Sequence, residues 1–211
     1  MYLPAHFAES RPEVLLDLMR AHPLATLVTQ GEAPDANHIP LQFVPREGMP
    51  GVLRGHVARA NPLWREIGEG VPALAIFHGP QAYVTRNWSP TQREHGKAVP
   101  TWNYAVVHAH GHLRAIDDSA WLRTQVEELT HREEAAFPHP WSVADAPADY
   151  IDKMIAAVVG IEMTVTRLVG KWKTSQNQPP DNRVGVVAGL GGRGPEGSAM
   201  AALVAAVPTE R

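Results

Sequence analysis

NHIPLQFV, residues 37–44, alternates the apolar Ile39, Leu41 and Phe43 with His38, Pro40 and Gln42. A period of two over that length predicts a strand with one buried face. VLRGHV, residues 52–57, repeats the pattern, with Leu53 and Val57 on one face and Arg54 and His56 on the other. Working outward, Leu24–Thr29 is a short β-branched run and Ala73–Phe77 a continuous apolar one. Gly79-Pro80 predicts a turn into a further strand, Gln81–Arg86. Val99–Ile116 reads as one long or bent strand interrupted near Gly111. Ile161, Met163 and Val165 alternate with Glu162, Thr164 and Thr166 as a last core strand. Strands joined by short turns favour antiparallel pairing. One buried face per strand favours a closed barrel or a sandwich.

Helices flank this β-rich core. Ser10 and Glu13 have capping-box spacing, Pro12 sits in the first turn, and Val14, Leu15, Leu18 and Met19 form one stripe that His22-Pro23 ends. Asn61-Pro62 reads as an N-cap and first turn for a short helix through Trp64. Asp118–Glu134 has Leu122, Val126 and Leu129 at helical spacing, and Tyr150–Val158 carries Ile151, Ile155 and Val158 on one side. From Lys171 the tail turns polar, then rich in Gly and Pro, and is expected to end in a loosely held helix.

The chain has 211 residues, 44% of them hydrophobic, a formal net charge of −3 and a pI near 6.4. That length suits one domain with a real core. The absence of cysteine removes disulfides, thiolate metal sites and cysteine nucleophiles. The start, MYLPAHF, lacks a secretory pattern, and the apolar runs are too short to span a bilayer, so a cytoplasmic protein with no membrane contact is expected. A dedicated DNA-binding domain carries a basic excess, which this chain lacks.

Three stretches concentrate chemistry. RNWSPTQREHGKAVPTWNY, residues 86–104, packs aromatics, amides, hydroxyls and cations into a loop that leads into a strand. The mixture suits a ligand that is part aromatic plane and part anion, with Lys97 and Arg93 as charged donors; it equally suits a surface loop tethered by its aromatics. HVARANP, residues 56–62, places Arg59 beside a helix N-terminus, either an anion site or a capped helix with a solvated Arg. GKWKTSQN, residues 170–177, lies at a barrel rim and is either a ligand segment or a basic turn.

Two decoys are set aside. GLGGRG, residues 189–194, fits G-x-G-x-x-G after the strand-like Arg183–Ala188, but too little chain follows to build a dinucleotide-binding unit, so it is expected to be a turn. His108, His110 and His112 would share one strand face and could converge on a metal. No acidic neighbour accompanies them before Asp117, so no metal is expected. No G-x-S-x-G elbow is present to suggest a hydrolase.

HVARANPLW (56–64), HGKAVPTWNY (95–104), PWSVADAPADYI (140–151), GKWKTSQNQP (170–179) and the opening MYLPAHF together resemble the PaiB-like family of negative transcriptional regulators. The resemblance runs over essentially the whole chain. It implies a mainly β fold with flanking helices (α+β), an FMN-binding split β-barrel, and a homodimer. By residue, it implies FMN contacts from His56, Arg59 and Asn61, from Lys97, Thr101, Trp102, Asn103 and Tyr104, and from Lys171, Lys173, Ser175 and Gln176. Residues 1–170 would form the barrel and residues 171–211 a ligand-contacting tail with a helical extension. The family's Ser-Trp-Tyr-Pro-Ser-Lys-like loop is Asn87-Trp88-Ser89-Pro90-Thr91-Gln92 here, without the tyrosine and the lysine.

Two functions follow from the resemblance. One is a regulator acting through its flavin or indirectly, with weak DNA affinity of its own. The other is an FMN-dependent oxidoreductase of the pyridoxamine-phosphate-oxidase-like or flavin-reductase type, with residues that only position the flavin. Trp88, Trp102 and Trp172, set in polar motifs, are expected at an interface or ligand wall.

Overall fold

A computed structural model of the chain describes residues 1–47, 49–68, 70–91, 96 and 99–208. In chain order the elements are β1 (Ala8–Glu9), α1 (Pro12–Ala21), β2 (Leu24–Gln30), β3 (Pro34–Pro40), β4 (Gln42–Arg46), β5 (Met49–Ala58), α2 (Leu63–Ile67) and β6 (Val71–Val84). Then come β7 (Thr101–Ile116), α3 (Ser119–Glu134), α4 (Ala148–Ala156), β8 (Val158–Lys173), α5 (Pro180–Gly191) and α6 (Gly194–Ala205). The strands form one eight-stranded antiparallel sheet in the order β3-β2-β6-β7-β8-β5-β4, with β1 paired to β8. Among the described residues no helix is long and apolar enough to cross a membrane.

Pro40 closes β3 and Gln42 opens β4, so the expected single strand over 37–44 is divided at Leu41, whose N–H donates to the Pro23 carbonyl at 2.9 Å. These consecutive strands stand at the two ends of the sheet order. No β3–β4 pairing closes it among the described residues, and the barrel is split.

The chain divides into two compact units. One comprises Met1–Ala21, His78–Val107 and Val169–Arg211. In it α1 buries Leu15, Leu18 and Met19. Glu9 accepts the Arg11 N–H at 3.0 Å just before this helix, a position where Ser10 and Glu13 are the expected cap. The predicted turn at Gly79-Pro80 is instead a continuous strand. A Cβ on Gly79 would lie 2.6 Å from Leu18 Cδ1 and 3.2 Å from the Ala105 carbonyl, so glycine permits a close approach here. Pro80 follows the last β2–β6 pair, at Ile76, and its missing N–H leaves that ladder intact.

The tail of this unit departs most from expectation. Lys171–Lys173 continue β8, and Arg183–Ala188 are helical. Helices α5 and α6 bury Val186, Leu190, Met200 and Val204 against Val84, so the last helix is firmly packed.

The other unit comprises His22–Phe77 and His108–Leu168. Leu27, Leu53, Phe77, Leu113, Ile161 and Met163 are fully buried in it. The Asp118 side chain caps α3 by accepting the Trp121 N–H at 2.7 Å, and Leu122 packs with Val143, Ile151 and Ile155 of the following segment. Glu162 of β8 is buried and bonded by Arg114 (2.7 Å), Arg54 (2.9 Å) and Arg46 (3.2 Å). Burial alone would raise its carboxyl pKa. The hydrogen bonds and charges of Arg114 and Arg54 outweigh that and hold it below the ordinary value.

Candidate functional site

The end of β6, the turn Arg86–Trp88, the start of β7 and the end of β8 with its following turn belong to the first unit and enclose a cavity of about 240 Å³. Its wall includes Thr85, Arg86, Ser89, Thr101, Asn103, Lys173 and Ser175, with Val186 of α5 as an apolar contribution. Asn103 is fully buried. Its Nδ2 donates to Ser175 Oγ at 2.9 Å, whereas its Oδ1 has no donor. Leaving a buried acceptor unmatched costs about 1–3 kcal/mol, so the atom marks a place where a ligand donor fits.

Lys173 reaches the same wall. Its ammonium donates to Thr101 Oγ1 and to the Trp102 carbonyl at 2.8 Å. An ammonium has three donors, which leaves one. Burial lowers the Lys173 pKa; Tyr104 opposes that shift and the Lys171 charge adds to it. An anion in the cavity would favour the charged form. Ser175, at φ 62°, is a buried non-glycine residue in the left-handed region. Such strain persists only where the surroundings over-determine it, and here the Asn103 bond and the Gln178 N–H on its carbonyl (3.0 Å) provide that.

The other tail residues serve the wall from behind. Lys171 is buried, donates to the Tyr2 carbonyl at 3.1 Å, and lies 5.3 Å from the Tyr104 ring centroid and 5.8 Å from that of Tyr2. Gln176 folds back on the turn, accepting the Thr174 N–H at 2.7 Å and donating to the Trp172 carbonyl at 2.5 Å. Trp102 is exposed, edge-on to Tyr83 at 6.0 Å.

His56, Arg59 and Asn61 belong to the other unit, and each has its own polar partners there. Arg59 makes a two-pronged pair with Asp117 (2.6 and 2.9 Å) and donates to the carbonyls of Ala156 (2.7 Å) and Val158 (3.0 Å). Four of its five N–H donors are thereby used. The Arg59 hydrogen bond holds the Asp117 carboxyl below its ordinary value; burial opposes the shift, and the Arg59 charge adds to it. Asn61 accepts the Leu63 N–H at 2.9 Å and so caps α2, which starts after Pro62. His56 Nδ1 lies 2.8 Å from Gln125 Oε1. Lys97 and Arg93 lie outside the described residues.

Sequence reasoning passed over several cavity residues. Arg86 opens the loop chosen for its chemistry, yet it was not singled out. It is exposed, and no carboxylate pairs with it among the described residues. Val186 was hidden by the strand-like reading of its segment. The G-x-G-x-x-G decoy is the end of α5 and the start of α6. A Cβ on Gly185 would meet the Trp88 carbonyl at 1.9 Å, and one on Gly189 the Trp88 ring at 2.3 Å. Trp88 is thus half-buried on a glycine face of α5, whereas the sequence placed it at an interface or ligand wall. The Gly-x-x-x-Gly spacing was the available signal. His108 and His110 have ring centroids 6.3 Å apart, and among the described residues no three metal-ligating side chains converge.

The family model described as "Putative FMN-binding domain" matches residues 1–167. The uncharacterized protein AN0679 of Emericella nidulans is 35% identical, over 90% of each chain. Protease synthase and sporulation protein PAI 2 of Bacillus subtilis is 28% identical, over 90% of this chain and 89% of its own. Among solved structures, the FAD and heme binding protein from Mycobacterium smegmatis shares the fold, with a TM-score of 0.57 and 22% identity over 79% of this chain and 73% of that one.

Proposed function

This chain belongs to the FMN-binding domain family and is a split-barrel protein of the flavin-binding kind, and from that premise we propose that it binds FMN in the cavity walled by Asn103, Thr101, Lys173 and Ser175 and works as a regulator through its flavin state or indirectly. The observation that carries the proposal is the unmatched Asn103 Oδ1 on the same wall as the spare Lys173 donor. An acceptor beside a cation fits FMN, whose ring N–H and side-chain hydroxyls donate and whose phosphate accepts. A cavity of about 240 Å³ is below the common range of about 300–1,000 Å³. It takes part of the cofactor and leaves the rest outside.

In this reading Lys173, Thr101, Asn103 and Ser175 face the cofactor, with Arg86 and Lys97 as further cations for the phosphate. Tyr104, Lys171 and Gln176 hold that wall, and His56, Arg59 and Asn61 hold the corner between β5 and α2. Bound FMN supplies a ring that accepts a hydride or electrons. The protein is a cytoplasmic homodimer in which exposed Tyr83, Val99 and Trp102 join the partner. Direct DNA affinity stays in the weak non-specific range of about 10⁻⁴–10⁻⁶ M, because Glu127, Glu128 and Glu133 stand exposed on α3.

The test is titration of the purified chain with FMN and with riboflavin, which lacks the phosphate. Lys173→Ala and Arg86→Ala are expected to weaken FMN about tenfold and riboflavin little. Equal weakening of both ligands removes these residues from the phosphate role, and no binding of either overturns the site. Turnover of NAD(P)H by the FMN-loaded protein would put the oxidoreductase reading in place of the regulator.

A further inference from the structure

Helices α5 and α6 form a second concavity, of about 410 Å³, inside the first unit. Val184, Val187 and Ala188 of α5, Val204 of α6 and Val207 line it, with Arg183. Val184 is 69% exposed, a large apolar side chain left open to solvent on a helix otherwise well packed. The cofactor cavity is walled by Val186 of the same helix, so neighbouring residues of α5 serve two separate hollows.

Arg183 is the anomaly of this groove. Its exposure is 8%, and no carboxylate pairs with it among the described residues. One terminal nitrogen, Nη1, donates to the carbonyls of Val207 (3.0 Å) and Pro208 (3.1 Å). Nε is buried without a partner, and Nη2 makes no hydrogen bond to a described residue. A buried guanidinium with only neutral acceptors on one nitrogen is costly, and a carboxylate relieves that cost most directly. The unused Nε–Nη2 edge is one of the two that a carboxylate engages with two parallel bonds.

We infer that this groove binds a small carboxylic acid with an apolar tail, its carboxylate on the Nε–Nη2 edge of Arg183 and its tail along Val184, Val187 and Val204. The volume lies inside the common range for small-molecule sites. The apolar walls exclude a strongly hydrated polyanion, which would lose its water without gaining donors. The groove lies wholly beyond residue 167, where the match to the FMN-binding family ends, so the site is separate from the cofactor's.

Titration calorimetry of the full chain with decanoate and with decan-1-ol tests the inference. Decanoate is expected to bind at one site per chain, and decanol about tenfold more weakly. Arg183→Met should remove the preference and leave both ligands equal. Because Arg183 is buried, Val184→Glu provides an independent variant at an exposed position: a charge at the mouth should weaken decanoate about tenfold and decanol much less. Equal affinities on the unmodified protein, an unchanged decanoate affinity in Val184→Glu, or no saturable binding would each overturn it. None of these readouts uses flavin, so the result stands apart from that of the cofactor titration.

Discussion

Replacing Asn103 with leucine separates what this residue does for the fold from what it does for the ligand. The Asn103 side chain makes one buried hydrogen bond, to Ser175 Oγ, and its Oδ1 has no donor among the described residues. Losing the bond costs about 0.5–1.5 kcal/mol, and removing the unmatched acceptor returns about 1–3 kcal/mol. Leucine branches at the same position without polar atoms. The net effect is about 1 kcal/mol in favour of the variant, or a rise in Tm of about 2–4 °C for a chain of this size. Flavin affinity moves the other way. Loss of one hydrogen bond of about 1–1.4 kcal/mol weakens FMN and riboflavin alike by about five- to tenfold. Calorimetry of the flavin-free variant and quenching of flavin fluorescence on titration measure the two effects. A Tm several degrees lower, with FMN affinity unchanged, would show that Asn103 is there for packing and would refute the reasoning.

Glu162→Ala strands three guanidinium groups, of which only Arg54 is mostly buried; its loss is expected to cost about 3–5 kcal/mol, seen as a Tm fall of about 6–20 °C at neutral pH. Because the folded carboxyl titrates below its unfolded value of 4.5, the stability it confers is complete above that pH. The gap between wild type and variant should therefore shrink as pH falls below 4.5, and a gap that is constant with pH would remove the ion cluster as its cause. Gly185→Val drives a side chain into the Trp88 carbonyl and should cost about 1–3 kcal/mol or more while shifting tryptophan emission; an unchanged spectrum and Tm would contradict the packing described.

The strand positions were legible wherever alternation was clean, as in Val52–Val57 and Ile161–Thr166, because one buried face per strand needs only local periodicity. Glu162 alternates with Ile161 and Met163 and shares the other face of β8 with Thr164, where arginines from β4, β5 and β7 meet it and bury it. Contacts that distant in sequence leave no local trace. Gly79-Pro80 looked like a turn because glycine serves turns and close approaches alike, and only the presence of Leu18 and Ala105 decides between them. Thr101, Asn103, Lys173 and Ser175, which the family resemblance names, line one cavity because they sit at or just past the ends of strands β7 and β8. Arg86 and Val186 were missed, one as an ordinary surface arginine and the other inside a valine- and glycine-rich run whose period is ambiguous between strand and helix.

The split in the barrel also sets a clock. Strand β4 meets β5 across a short connection, and such hairpins form in about 1–10 μs. The other edge of β5 waits for β8, with Ala58 facing Val158 a hundred residues later. At about 5–20 residues per second, a ribosome takes some 5–20 s to deliver that strand. For roughly half a million to twenty million hairpin formation times the nascent chain presents an open row of backbone donors and acceptors from Gly51 to Ala58, the kind of edge that pairs with extended segments nearby. Neighbouring nascent chains on one message carry that same edge at the same time, so this topology is exposed to edge pairing on the polysome before the finished sheet exists.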